Sequence, residues 1–287
     1  MRDNSASYFL TTPAGTILLD MAERMFIESI ETQGEFRGDV TPRAQTHGSW
    51  IDNAKRGGLT TILTIRAYGT GYDLELKRST LQRCLMSLYG EDGTGTLTWT
   101  HQGAAEQLQL SGLYLADEPA WSIDGTTLLC MAALTTERPY AESANENIVD
   151  SGALASGGSG WTIPLTIPLT LVASSGGIAT VTNSGDWNHA TPTLQVYGPI
   201  TNPNVVNVDK QERLVFSGSI GSGDYWEIDL DRRTVKLNGT GASQLGNIDS
   251  DQSIWFTVST GETDLQLTGS GFDSATKLRV LMRSAYG

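Results

Sequence analysis

Residues 225–239 read YWEIDLDRRTVKLNG, and this stretch decides the fold class. Trp226, Ile228 and Leu230 alternate with Glu227, Asp229 and Asp231. A period of two is the pattern of a strand with one face on a core and the other in water. The alternation resumes over 234–237, so Asp231-Arg232-Arg233 reads as the short loop of a hairpin. Asn238-Gly239 then supplies the two residues that best tolerate a tight turn.

The same pattern extends on both sides. Residues 277–283 place Leu278, Val280 and Met282 on one face and Lys277, Arg279 and Arg283 on the other. Residues 253–259 and 263–268 flank Thr260-Gly261-Glu262 as a second expected hairpin, and 179–182, 192–197 and 213–217 read as further strands. Over 161–171 apolar residues again alternate, but Pro164 and Pro168 cannot donate to a ladder, which implies an edge or irregular strand. Many short strands with no helix between them imply a two-sheet sandwich of jelly-roll type.

The first half is also mainly β. Residues 8–10 and 16–19 flank Thr12-Pro13-Ala14-Gly15 as a hairpin, with further strands over 25–31, 59–68, 96–100, 107–116 and 127–135. Residues 32–58 are polar and broken by Pro42 and glycines, and read as a long loop or extended arm. One segment departs from the β pattern. STLQRCLMSLY (79–89) puts Leu81, Cys84, Leu85 and Leu88 at helical spacing, with Ser79 as N-cap and Gly90 as C-terminal cap. Residues 142–160 lack large apolar side chains and end in a Gly/Ser cluster, so they read as a linker. The expected organisation is therefore two domains, 1–145 and 146–287.

Composition agrees with an all-β chain and excludes several functions. Of 287 residues 32 are Gly, about 11% against a usual ~7%, and only 18% are charged against ~25%. The net charge is −13, and neither half is basic: residues 1–140 carry 11 Lys and Arg against 17 Asp and Glu, and the remainder 8 against 15. Clustered cations for duplex binding are therefore missing, as is the charge that would attract anionic lipid. There is no apolar run behind a basic start and none of ~20 residues, so neither a secretory signal nor a membrane span is expected. Cys84 and Cys130 are far apart without metal spacing and read as buried reduced thiols.

Catalytic constellations are equally scarce. His47, His101 and His189 form no metal or triad motif, and no GxSxG elbow is present. The glycine clusters at 69–71, 93–95 and 218–223 lack GxxxxGK, open no helical pattern and read as turns. Glu227, Asp229 and Asp231 share one strand face, which leaves two readings: a glycosidase pair or calcium site, or the solvent face of an antiparallel strand. The clean alternation with apolar residues favours the second. Asp249 and Asp251 pose the same choice, with a loop as the simpler reading. Seven tryptophans, at 50, 99, 121, 161, 187, 226 and 255, read mainly as core or interface residues. Trp187, in Ser184-Gly185-Asp186-Trp187-Asn188, is placed on a loop and is the candidate glycan contact. No catalytic residue, cofactor or metal is expected.

Several of these segments together resemble distal tail proteins of long-tailed, non-contractile bacteriophages. In the second half they are TLQVYGPITNP (193–203), the 225–239 hairpin, the Trp255 segment before Thr260-Gly261, and LRVLMRSAY (278–286). In the first half they are the lone helix followed by GTLTW (95–99), and the long segment between the early strands. The resemblance implies an N-terminal tail-tube-like β-sandwich or barrel with one helix, and a C-terminal galectin-like jelly-roll sandwich. It implies a homo-hexameric hub ring in the virion that joins the tail tube protein to the tail-tip hub protein. The tape measure protein is a further implied neighbour, and DNA passes through a central channel. A carbohydrate-binding module for host-surface adhesion is the alternative reading.

Overall fold

A computed structural model describes residues 7–42, 49–89, 94–100, 106–136, 138–152, 154 and 177–287; within it, 34–42 and 49–58 are described by backbone alone. The chain is mainly β, as its alternation implies, with one α-helix among the described residues. It divides into two compact units: Met1–Asn145 with Tyr286–Gly287, and Glu146–Ala285.

In the first unit β1 (Tyr8–Thr12) and β2 (Gly15–Leu19) form the expected hairpin. They are followed by β3 (Met25–Pro42), β4 (Ser49–Tyr68), α1 (Tyr72–Met86), β5 (Gly95–Thr100), β6 (Gln107–Leu115), β7 (Ala120–Asp124), β8 (Thr127–Thr136) and β9 (Ala141–Ser143). The antiparallel sheet runs β2-β1-β5-β6-β8-β4-β3, with β7 on β8 and β9 on β6. Its two end strands, β2 and β3, are consecutive in sequence and meet at the Asp20–Met25 bridge. That short connection curls the sheet toward a barrel. Leu10, Leu19, Leu63, Ile65, Leu97, Leu113, Leu128 and Leu134 line its interior, all almost fully buried. Between β5 and β6 the register skips Gly112, whose φ of 65° lies in the left-handed region. This bulge bends β6, and a side chain there would be strained.

Helix α1 covers the core through Leu74, Leu81, Cys84 and Leu85, with Leu88 just beyond its end. The expected apolar stripe is therefore present, but the helix starts seven residues before Ser79. Ser79 lies inside it and donates to the Leu76 carbonyl, the C-cap is Ser87, and Gly90 lies outside the described residues. Asp73 and Glu75 favour the positive N-terminal end. The outward-facing Tyr72 and Leu76 obscured the stripe in the sequence. Gly69-Thr70-Gly71 thus leads directly into a helix, contrary to expectation. Cys84 and Cys130 are free and buried, and burial pushes the Cys130 thiol up to about 12.

The largest correction in this unit concerns residues 32–58. Residues 32–42 and 49–58 are not a loop: β3 and β4 pair over almost their whole lengths, with register shifts between Ile27 and Ser29, Gly34 and Phe36, and Arg37 and Asp39; residues 43–48 lie outside the described residues. Backbone hydrogen bonding is indifferent to side-chain polarity, so a polar stretch can still form a ribbon. Strand β7 also escaped the sequence reading. It is mostly exposed and has no alternating apolar face.

The second unit is a sandwich of two antiparallel sheets. Its strands are β10 (Asn147–Asp150), β11 (Ile178–Asn183), β12 (Thr193–Tyr197), β13 (Ile200–Asn207), β14 (Glu212–Val215), β15 (Ser219–Ile220), β16 (Tyr225–Asp229), β17 (Thr234–Leu237), β18 (Gly261–Ser270) and β19 (Lys277–Met282). One sheet is ordered β10-β19-β12-β16-β17 and the other β11-β18-β13-β14, with β15 on β13. Leu194, Val196, Trp226, Ile228, Leu278 and Val280 of the first sheet face Val181, Val205, Leu214, Leu265 and Leu267 of the second. Phe216 and Trp226 meet at 5.5 Å between ring centroids.

Three expectations change here. The presumed linker contains a strand, β10, which pairs with β19; residues 155–160 lie outside the described residues, as does the 161–171 alternation. Residues 253–259 form no ladder strand, so the hairpin expected at 260–262 is absent. Ser253 takes the Val215 N–H with its hydroxyl, and the segment touches a neighbour's backbone through the Ile254–Arg213 hydrogen bond and the Ala190–Val258 bridge. A side chain that satisfies a backbone donor displaces the ladder bond. Conversely, β13 forms despite Pro203. Its register against β18 shifts between Thr201 and Asn204, so the proline sits in the bulge where no N–H is needed.

Candidate functional site

Two surfaces combine unusual geometry with unspent binding capacity. The first is the β3–β4 ribbon of the first unit. Strand β4 pairs with β8 only over Thr60–Tyr68, so from Ser49 to Leu59 its one strand partner among the described residues is β3. Strand β3 meets β2 only at the Met25–Asp20 bridge. Residues 34–42 with 49–58 therefore form a two-stranded ribbon roughly 30 Å long, with no further ladder partner at either edge among the described residues. Beside it in sequence, α1 exposes Tyr72 (84%), Leu76 (51%) and Met86 (42%) on one side.

The second surface is the outer face of the β10-β19-β12-β16-β17 sheet. Register places Asp150, Arg279, Gln195, Glu227 and Lys236 side by side, one from each strand. The next row holds Lys277, Tyr197 and Tyr225. Arg279 donates to Asp150 through Nε at 2.6 Å and Nη2 at 3.0 Å, and Lys277 Nζ donates to the same carboxylate at 2.7 Å. Gln195 Nε2 donates to Glu227 Oε2 at 3.0 Å, and the Tyr197 hydroxyl donates to Gln195 Oε1 at 3.0 Å. The Tyr197 and Tyr225 rings stack at 5.0 Å, with Lys277 and Arg279 5.3 and 5.5 Å from the Tyr197 centroid. Burial, then the nearby Glu227 and Tyr197, raise the Tyr225 phenol above its ordinary value, so it remains a donor.

The acidic residues singled out from the sequence have structural partners. Glu227 belongs to the row just described. Asp229 Oδ1 accepts from the Asp231 and Arg232 amides and so folds the hairpin turn. Asp249 does the same for Asp251, and its other oxygen accepts from Gln252. Trp226, Ile228 and Leu230 are buried on the opposite side, as the alternation requires. Among the described residues no three His, Cys, Asp or Glu side chains are placed to hold a metal ion, and no helix is long and apolar enough to cross a membrane. His47, His101 and Trp161, and the side chain of Trp50, lie outside the described residues. His189 is exposed, with Nδ1 3.4 Å from Thr257 Oγ1. Trp187 is half-buried on a loop, its ring edge-on to His189 at 6.0 Å. Trp99 packs against the barrel core beside Tyr8, and Trp121 joins the same cluster.

Arg279 and Lys277 hold the Asp150 carboxyl well below its usual value of 3.8. A carboxyl whose folded pKa is depressed adds stability above its unfolded pKa and loses it as pH falls toward the folded one. Acid unfolding of the wild type is thus expected to include a component below about pH 4 that Asp150→Asn removes. Denaturation midpoints at pH 3 and pH 7 measure this: their gap narrows in the variant.

The described residues thus form a mainly β chain of two antiparallel units, the first with a long two-stranded ribbon. Residues 184–279 match the family model SPP1_Dit, the C-terminal domain of the siphovirus-type tail component. The SPP1 Dit protein, described as a paradigm of the hub adsorption apparatus in phages infecting Gram-positive bacteria, has the same fold at 11% identity. The likeness covers 96% of this chain and 98% of that one, with a TM-score of 0.63. A chain of the phage P2 baseplate in its activated conformation with Ca is 12% identical over 96% and 97% of the two chains, with a TM-score of 0.51. No curated protein sequence matches. The resemblance to distal tail proteins is thereby borne out: residues 184–279 match that family's C-terminal domain, and the chain shares the fold of the SPP1 Dit protein.

Proposed function

We propose that this protein is the hub ring of a phage tail tip, a homo-hexamer that joins the tail tube to the tail-tip proteins. The observation that carries the reading is the β3–β4 ribbon, whose edges have no further ladder partner among the described residues. A two-stranded ribbon is marginal alone in water, and long bare edges invite pairing with another chain. In a closed ring each subunit offers one patch to a different patch on its neighbour. Ribbon edges and the exposed side of α1 supply such non-identical patches on the first unit. On this reading residues 1–145 are the tail-tube-like ring-forming domain, and residues 146–287 are a galectin-like sandwich directed outward. The partners are the tail tube protein, the tail-tip hub protein and the tape measure protein, and the protein works in the virion without catalysis. DNA passes through the central hole, and the net charge of −13 suits a lumen that repels phosphates rather than trapping them.

Negative-stain electron microscopy of the full chain, alone and mixed with tail tube protein, tests this reading. Six-fold rings with a central hole are expected in at least one of the two samples. Monomers in both would overturn it. Replacing residues 36–56 by a two-residue turn is expected to abolish the rings while leaving the circular-dichroism spectrum strand-rich.

A further inference from the structure

The turn that follows β17 holds a reactive pair of residues. Asn238-Gly239 is the one Asn-Gly step in the chain, and Asn238 is exposed. We infer that Asn238 is a self-modification site, converted to aspartate or isoaspartate by attack of the Gly239 amide nitrogen on the Asn238 side-chain carbonyl carbon. In that step the bond from Gly239 N to Cγ forms and the Cγ–Nδ2 bond breaks. Nδ2 leaves as ammonia with the proton that the Gly239 amide gives up. The cyclic imide left behind takes up one water. Opening at the side-chain carbonyl gives aspartate, and opening at the main-chain carbonyl gives isoaspartate. Nothing is oxidised or reduced.

Three observations carry this. First, the nucleophile is uncommitted. The Leu237, Asn238, Thr240 and Gly241 amides donate to the carbonyls of Ala242, Tyr225, Asn238 and Leu237, whereas the Gly239 amide has no acceptor among the described residues. Glycine carries no Cβ, so no side chain of its own shields that nitrogen. The turn also requires the glycine: its φ is 74°, and a Cβ there would lie 3.2 Å from both Glu227 Oε2 and the Tyr225 hydroxyl. Second, the carbonyl is polarised. Asn238 Oδ1 accepts from the Tyr225 backbone N–H at 2.9 Å. Negative charge develops on this oxygen as the nitrogen adds, and a donor already in place stabilises it. Third, the leaving nitrogen has a way out. Nδ2 donates to Asp224 Oδ1 at 2.8 Å in an exposed bond, which water can replace. After reaction a carboxylate stands at this position. It cannot donate, and the Asp224 carboxylate repels it. The tie between residues 224 and 238 is therefore lost, and the turn over 237–242 loosens. This chemistry needs no ring and stands apart from the hub reading.

The test incubates the full chain for several weeks in neutral buffer at 37 °C and follows it by peptide mass spectrometry. A gain of one mass unit at Asn238, ahead of every other asparagine, is expected, with isoaspartate identified there by electron-transfer fragmentation. Asn238→Gln keeps the amide but must close a larger ring, and should react at least tenfold more slowly. Hydrogen exchange reads the consequence without waiting for the reaction. In Asn238→Asp the Leu237 and Gly241 amides should exchange faster than in the wild type. Adding Asp224→Asn places a donor against the new carboxylate and should bring both amides back to within twofold of the wild type. The inference is overturned if Asn238 in the folded chain gains no mass, if another asparagine reacts first, or if Asn238→Gln reacts as fast. Unchanged exchange in Asn238→Asp overturns the loosening of the turn. Rings in the microscope, present or absent, leave these readouts unchanged, so failure here is distinguishable from failure of the hub reading.

Discussion

Trp226→Ala is expected to remove about 3–5 kcal/mol of stability from the sandwich, the usual cost of truncating a large buried aromatic. Trp226 is 2% exposed and sits between the two sheets against Phe216, itself 1% exposed. Its removal opens a void that rigid strands on both sides cannot close. Domains of this size are stable by roughly 5–15 kcal/mol, so the loss is a large fraction of the total. Urea unfolding followed by near-ultraviolet circular dichroism measures it. Trp226→Phe leaves most of the volume filled and should cost clearly less. A loss below about 1 kcal/mol for the alanine variant would mean that the two sheets do not depend on this contact.

The second large effect is expected at Asn183, a polar residue with no exposed surface. Its Oδ1 accepts from the Gly185 amide at 3.2 Å and the Ala285 amide at 3.0 Å, and its Nδ2 donates to the Trp187 carbonyl at 2.9 Å. One side chain thus ties the 184–187 loop to a segment a hundred residues away. The packing is as tight as the bonding: a Cβ on Gly185 would lie 1.8 Å from the Ala285 carbonyl oxygen. Asn183→Ala leaves two buried donors and one acceptor without partners, at about 1–3 kcal/mol for each group that water cannot reach. Partial relaxation brings the expected total to about 2–5 kcal/mol. Hydrogen exchange at the Gly185 and Ala285 amides should accelerate well before the rest of the sandwich. The neighbouring exposed Thr182→Ala should change stability by less than about 0.5 kcal/mol. Slow exchange retained in Asn183→Ala would show that the loop is held by something else.

These two residues mark how far the sequence could be read. Trp226 was legible because its role follows from a local rule. In 225–230 a period of two assigns every second side chain to the core, whatever the strand pairs with. The same rule placed Leu278, Val280 and Met282, and a period near 3.6 placed Leu81, Cys84, Leu85 and Leu88. Asn183 was not legible. An asparagine at a strand end reads as a turn residue, and only the return of residue 285 beside it turns its carbonyl into a buried acceptor.

The polar row on the outer sheet face was hidden for the same reason. Asp150, Gln195, Glu227, Lys236 and Arg279 are spread over 130 residues, and each reads as an ordinary solvent-facing position. The ribbon was misread because polarity and glycine suggested a loop, whereas its order comes from β3–β4 backbone pairing. Local periodicity and composition therefore determined by themselves that this protein is β-rich, acidic and built on buried alternate residues. Each of those properties depends on neighbours in the chain. Which strands pair, in what register, and which distant polar groups meet was decided only by the tertiary structure. Hydrogen bonds between strands are made by backbone groups that are the same at nearly every residue and carry no address.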